Sequence, residues 1–382
     1  MKARSVYDSY HDMFRTDVRK FLETEAIPHL EAWEAQGHVD RSIWEKAGEL
    51  GFLCPTMPEE LGGVGGDFRF NSVIDEEIYR AGLTGIGFGL HSDIAAPYIL
   101  HYGSETQKET YLPAMARGEK IAAIAMTEPG TGSDLQGIKT NAVLKNGRWI
   151  LNGSKTFITN GYMADVVIVV AKTDPEAGSK GFSLFLVDAD TAGFEKGQPL
   201  KKVGMKAQDT CELFFNDCSL DETQLLGERG QGLRYLMQEL PQERLSVAVG
   251  AVAHARSLVD QTLAYAKERN AFGKPIAAFQ NTQFKLAELD SEVTMMQVFI
   301  DQCLAWHVEG ELDAVMAAKA KYLSTDLQCK VADECVQLHG GYGYMWEYPV
   351  ARGWADARVQ RIYAGTNEIM KLIISRDLLE RS

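Results

Sequence analysis

Three long amphipathic runs occupy the C-terminal part of the chain, over residues 242–269, 280–308 and 312–338. Each repeats apolar side chains close to the helical period, and each ends at helix breakers: Gly273 and Pro275, then Gly310, then Gly340-Gly341. At 1.5 Å per residue such helices each span roughly 40 Å. Helices of that length joined by short loops favour an antiparallel bundle.

Upstream the period changes twice. Residues 11–26 place Met13, Val18, Phe21 and Leu22 at helical spacing, and residues 41–50 predict a shorter helix stopped by Gly51. The glycine-rich stretch 61–66 reads as a loop. Helical character resumes near Asn71, breaks at Gly85, Gly87 and Gly89, and returns through Tyr111 and Leu112. Near residue 120 it gives way to short apolar runs at 121–126, 166–170, 182–187 and 212–215. Asn146-Gly147 lies between 142–144 and 149–151 and signals a hairpin. The predicted fold is therefore multidomain α+β. It comprises a helical domain (1–120), a middle antiparallel β-barrel or sandwich (121–228) and a C-terminal helical bundle (229–382).

Composition narrows the function. The 382 residues carry a formal net charge of −14, with no basic footprint for nucleic acid or an anionic membrane. No apolar stretch is long enough for a transmembrane helix, and the mixed-charge N-terminus does not read as a signal peptide. The six cysteines show no CxxC pair and read as reduced, intracellular thiols. That predicts the cytoplasm of a bacterium or, alternatively, a mitochondrial matrix. The eight histidines form no HExxH or Cys/His cluster, so no metal is expected. P-loop, GxGxxG and GxSxG motifs are missing.

Two segments stand out. Residues 125–134, AMTEPGTGSD, make a Gly/Pro turn after an apolar run. Its backbone amides and the hydroxyls of Thr127, Thr131 and Ser133 suit an anionic group, although a plain turn is the commoner use of such composition. Residues 337–344, QLHGGYGY, follow the third long helix and lead to Glu347, Arg352 and Asp356. Those glycines serve as a helix C-terminus or allow close approach of a ligand.

With the stretches 152–160 (NGSKTFITN), 268–274 (ERNAFGK) and 364–368 (AGTNE), these two segments resemble the acyl-CoA dehydrogenase family, and its long-chain branch in particular. The resemblance covers nearly the whole chain in the family's order. It implies a C-terminal four-helix bundle, FAD as cofactor, an acyl-CoA substrate, electron-transfer flavoprotein as acceptor, a role in fatty acid β-oxidation, and a homotetramer built from dimers. It places Met126, Thr127, Gly132 and Ser133 along the flavin and pyrophosphate, with Ser133 also towards the substrate. Phe157 is placed against the isoalloxazine, where many relatives have Trp, and Thr159 near the N5 edge. Arg269, Phe272, Gln280, Gln337 and Gly341 would serve FAD across a subunit boundary, with Thr366 and Glu368 closing that site.

The implied reaction removes an α-proton from the thioester while the β-hydrogen leaves as hydride. Many family members place the base immediately before Gly-Thr of the last motif, and here that position is Ala364. The long-chain and isovaleryl branches place Glu before Arg-Leu in the first bundle helix, which is Glu243 before Arg244-Leu245. Glu243 is therefore the expected base. Read without the resemblance, it is a first-turn acid after Pro241, where the helix dipole would lower its pKa and burial would raise it. Glu239 is the next carboxylate, expected to face elsewhere because Pro241 intervenes. The Ala364 backbone N–H remains an expected donor to the thioester oxygen. Gly365 is expected beside the substrate, and Arg244 is either a contact to CoA or a surface ion pair.

Gly85, Gly87 and Gly89 fall where the family's acyl pocket floor is expected. They leave room for a long or branched chain, or are ordinary helix breakers. The run 206–210, KAQDT, also fits the long-chain branch. Two other readings stay open on the same fold: an oxidase or another flavin reaction, and a noncatalytic acyl-CoA-binding protein without a base at position 364.

Overall fold

The computed structural model describes residues 4–380. Helices come first: α1 (Ser9–Phe21), α2 (Leu30–Gln36), α3 (Arg41–Glu49), α4 (Phe68–Arg80), α5 (Ala96–Tyr102) and α6 (Glu105–Ala116). Their starts follow local chemistry. The Asp8 carboxylate accepts the Tyr10 and His11 amides at the head of α1, and Ser104 and Gln107 cap α6 reciprocally. A π-helical turn, Leu90–Ala95, runs directly into α5.

The middle of the chain forms one eight-stranded sheet: β1 (Ala122–Ala125), β2 (Asn141–Lys145), β3 (Arg148–Thr159), β4 (Val166–Lys172), β5 (Phe182–Asp188), β6 (Phe194–Lys196), β7 (Thr210–Leu220) and β8 (Leu225–Leu226). The order is β6-β7-β3-β2-β4-β5-β8, with β1 beside β4. The β2–β3 hairpin turns at Asn146 and Gly147, both at positive φ (52° and 79°), as a two-residue turn matched to strand twist requires. The sheet is mixed, because β1 pairs parallel with β4 where the sequence suggested antiparallel neighbours throughout. β4 is apolar along its length because both faces are covered. Val166, Ile168 and Val170 pack with Ile99, Leu112 and Met115 of α5 and α6. Val167 and Val169 pack the other way, with Leu151, Leu213 and Phe215.

The C-terminal part comprises α7 (Gly232–Glu268), the small hairpin β9 (Asn270–Ala271) and β10 (Lys274–Pro275), then α8 (Gln280–Val308), α9 (Ala314–His339), α10 (Pro349–Ala357) and α11 (Asn367–Glu380). α7 begins ten residues before the predicted start at 242, and Pro241 lies inside it. A mid-helix proline costs about 3 kcal/mol or more. Leu233, Leu236, Leu240 and Leu245 offset that cost by burying the same helix on both sides of the proline. α7 packs on α4, α8 and α9, and α11 lies against α9. No described helix is long and apolar enough to cross a membrane.

Candidate active site

Helices α5 and α7 meet in a buried polar seam. Tyr98 of α5 donates a 2.8 Å hydrogen bond to Glu243 Oε1 of α7. Both side chains are buried. Burial is the main reason the Glu243 carboxyl is pushed up to about 7, and the Glu239 charge adds to it. The Tyr98 bond and the Arg244 charge oppose the rise. Glu243 lies about three turns into α7, beyond the reach of the helix dipole, which acts within the first turn. The expected contest between dipole and burial is thus absent, and burial, with a smaller push from the Glu239 charge, raises the group.

Glu239 does not face elsewhere. The helix continues through Pro241, so Glu239 and Glu243 share one face at i and i+4. Glu239 Oε1 accepts a 2.7 Å bond from Tyr102 and lies 2.8 Å from His101 Nδ1.

Beside Arg244, the residue after Glu243 in α7, the turn before α11 is wound tightly. Ala364 has φ 52° and Gly365 φ 88°. Lys321 of α9, fully buried, donates to the Gly365 carbonyl at 2.8 Å and to Asn367 Oδ1 at 2.9 Å. Burial lowers the Lys321 ammonium to about 8, helped by the neighbouring Arg244 charge. Arg244 is buried, not a surface ion-pair partner, and its Nε lies 3.5 Å from the Ala364 carbonyl. Burial lowers its pKa while the Glu243 charge opposes that. The Ala364 N–H has no acceptor among the described residues. An L-residue held in the left-handed region with a free amide is a strained arrangement of the kind that clusters at functional sites.

The β-domain contributes a second surface. Pro129 and Gly130 form a turn closed by paired backbone bonds between Glu128 and Thr131. The Glu128 carboxylate pins it, accepting from the Lys139 amide (2.7 Å), the Thr140 amide (2.9 Å) and the fully buried Lys155 ammonium (3.0 Å). Burial opposes ionisation of Glu128, but the bonds from Thr140 and Lys139 and the Lys155 charge outweigh it and hold the carboxyl below its ordinary value. Burial lowers Lys155 to about 8. Lys155 also holds the Met126 carbonyl at 3.0 Å, and the Thr127 carbonyl accepts the Thr156 amide at 2.9 Å. These ties set Met126 and Thr127 next to Phe157. That residue sits at a register shift of β3 with φ 59° and is 67% exposed. Thr159 is half-buried opposite Thr210. Gly132 and Ser133 are exposed, and nothing lies within 4 Å of a side chain built at Gly130 or Gly132. An open glycine flank beside an exposed aromatic ring fits a flat, extended, anionic cofactor.

The third group of expected residues lies on the surface. Phe272 caps the β9–β10 hairpin at φ 51° and is 96% exposed. Arg269, Gln280, Gln337 and Gly341 are exposed, and the Arg269 guanidinium lies 5.6 Å from the Tyr342 ring centre, linking the two segments. Thr366 Oγ1 accepts the Ile369 amide, and Glu368 is exposed, its pKa lowered by its own backbone N–H and the Thr366 hydroxyl.

Of the two readings left open for Gly85, Gly87 and Gly89, the open pocket floor gains no support at the first two. Gly85 and Gly87 do not open a pocket floor, because protein atoms already fill the space a side chain would take. A Cβ at Gly85 would lie 2.5 Å from Ala207 Cβ, and one at Gly87 would collide with Asn160 Oδ1. A Cβ at Gly89 would sit 3.0 Å from Asp75 Oδ1. Gly85 and Gly87 let the helical layer approach the β-domain, whereas Gly89 lies close to α4 and α7. Sequence reasoning also missed Tyr98, His101, Lys155 and Lys321. For Tyr98, His101 and Tyr102 the signal was available as i, i+3, i+4 spacing on a short helix.

Three parts of the chain match known protein domains. Residues 8–119 match the N-terminal domain of acyl-CoA dehydrogenases, residues 123–218 the middle domain, and residues 230–379 the C-terminal domain. The long-chain specific acyl-CoA dehydrogenase of Sus scrofa mitochondria is 53% identical over 378 residues, spanning 98% of this chain and 88% of that protein. An acyl-CoA dehydrogenase crystal structure from Geobacillus kaustophilus superposes with a TM-score of 0.97 at 48% identity, covering 98% of this chain and 100% of its own. The Bacillus anthracis acyl-CoA dehydrogenase, solved in complex with FAD, gives a TM-score of 0.92 at 36% identity, covering 98% of this chain and 67% of its own.

Proposed function

The chain belongs to the acyl-CoA dehydrogenase family, and from that membership we propose that it oxidises the Cα–Cβ bond of an acyl-CoA thioester to a trans-2-enoyl-CoA. FAD, the cofactor of the family, supplies the hydride acceptor when bound. The observation that carries the reading is the buried Glu243 carboxylate, raised to about 7 and held by Tyr98. A general base is most useful when its pKa lies near the working pH. Position 364 is Ala and carries no base, while Arg244, next to Glu243 in α7, reaches the Ala364 carbonyl.

In this reading Glu243 takes the α-proton. The Ala364 N–H, fixed through Lys321 and Gly365, donates to the thioester oxygen as negative charge develops there. Gly365 lies along the thioester, while Arg244 acts on the CoA side by its charge and by holding the 364–365 turn. Phe157 and Thr159 face the flavin ring. Met126, Thr127, Gly132 and Ser133 line the flavin and pyrophosphate, and Ser133 also meets the substrate. Arg269, Phe272 and Gln280, with Gln337 and Gly341, hold the far end of FAD in a neighbouring subunit. Thr366 and Glu368 close that site. The exposed Phe272 supports this arrangement, since an apolar ring at a hairpin tip seeks cover. The assembly is a homotetramer, the acyl chain is medium-to-long or branched, and electrons pass to electron-transfer flavoprotein.

Anaerobic addition of an acyl-CoA series to the purified flavoprotein tests the reading. Bleaching of the flavin spectrum is the expected result, fastest with medium-to-long or branched chains. No bleaching with any member would leave a noncatalytic acyl-CoA-binding protein. Rapid peroxide formation in air would identify an oxidase.

A further inference from the structure

Glu239 has no part in the reaction as described, yet it is a buried carboxylate one helical turn from the base. Its own side chain is 9% exposed, whereas His101, 2.8 Å away, keeps 50% of its side chain in solvent. Three residues of one face of α5 therefore meet two of one face of α7: Tyr98 holds Glu243, and His101 and Tyr102 hold Glu239. We infer that Glu239 is a positioning residue for Glu243, and that its charge, balanced by the solvent-facing His101, governs how readily Glu243 accepts a proton. The inference rests on Glu243 being the base.

The surroundings leave few other groups to do this. From α5, Tyr98 and Tyr102 face the pair, and burial raises both phenols above their ordinary value, so both stay neutral hydroxyls. From α7, Tyr235 stacks on Tyr102 at 3.9 Å between ring centres, Gln238 accepts from Tyr102 at 3.2 Å, and Arg244 lies beside Glu243. From α8, His307 contacts Gln242 at 3.0 Å, and burial lowers it to about 4, so it stays neutral near pH 7. Lys108 bears on His101 and Arg234 on Tyr102. The bond to Glu239 raises the His101 pKa. His101 is thus the half-exposed imidazole touching Glu239, and that bond favours its charged form.

The sign is specific. A carboxylate near Glu243 disfavours its ionisation, and a cation facing that carboxylate weakens the effect. Glu239→Gln keeps the hydrogen bonds but removes the charge. It should move the acidic limb of the rate of anaerobic flavin reduction to lower pH, by about half a unit to one unit. His101→Gln should move the limb the opposite way, and Glu239→Asp should restore it towards wild type. A second readout does not depend on turnover: in an NMR titration of ring-labelled histidine, the His101 midpoint should fall in Glu239→Gln. If Glu239→Gln does not accumulate as folded flavoprotein, His101→Gln carries the test alone. A wild-type protein whose flavin is reduced, but whose limb is unmoved in the variants or moves the same way in both, overturns this inference only. A wild-type protein whose flavin is never reduced overturns the proposed reaction and this inference together.

Discussion

Tyr98 and Glu243, 145 positions apart in the chain, are joined by a 2.8 Å hydrogen bond in a buried seam between two helices. The bond favours the ionised carboxylate, whereas burial favours the neutral acid and prevails, leaving Glu243 near 7. Tyr98→Phe removes the hydroxyl and keeps the ring. The Glu243 pKa should then rise further, moving the acidic limb of flavin reduction up by about one unit, which corresponds to about 1.4 kcal/mol. Stopped-flow reduction across a pH series checks this, and an unmoved limb would show that the bond does not tune the base.

The same raised pKa predicts a stability effect. Between the ordinary 4.5 and about 7, native Glu243 keeps a proton that the unfolded chain releases. Folding stability therefore falls as pH rises through that window and stays lower above it, by ~3 kcal/mol at most. Glu243→Gln carries no such charge, so it should melt higher than wild type at pH 8 and close to wild type at pH 5. Thermal melts of both proteins at the two pH values test the sign.

The Lys155–Glu128 pair predicts the opposite kind of outcome. Glu128→Gln leaves a fully buried ammonium without its counter-ion. Breaking such a pair from one side costs about 3–5 kcal/mol. Because Glu128 also fixes the turn at Pro129 and Gly130 through two backbone amides, the variant should lose thermal stability and retain less flavin per protein. A normal melt with full flavin content would contradict the role given to the pair.

Local patterns carried much of this structure in the sequence. α8 runs over the residues its periodicity predicts, and the β2–β3 hairpin turns at its Asn-Gly. The failures have physical causes. Pro241 reads as a helix boundary, but leucines packed on either side keep α7 continuous from Gly232. That continuity puts Glu239 on the face of Glu243. β6 and β8, three and two residues long, are too short to show a period. Gly85 and Gly87 look like freedom in the chain, yet their neighbours, Ala207 and Asn160, come from the β-domain. The base was legible only through resemblance, because its burial and its Tyr98 partner depend on the packing of α5 on α7. The positive φ of Phe157 and the exposure of its side chain likewise depend on a register shift that no local pattern announces.

The most direct measurement is anaerobic flavin reduction by acyl-CoA in Glu243→Gln. The substitution keeps the size of the side chain and a hydrogen-bond acceptor for Tyr98 but removes the basic group. The variant should retain FAD and bind acyl-CoA, while the reduction rate falls at least about 10²-fold, the low end for loss of a general base. Adding Ala364→Glu should recover only part of that rate, because the surroundings of position 364 are built around a methyl side chain. Reduction of Glu243→Gln at the wild-type rate would contradict the assignment of the base.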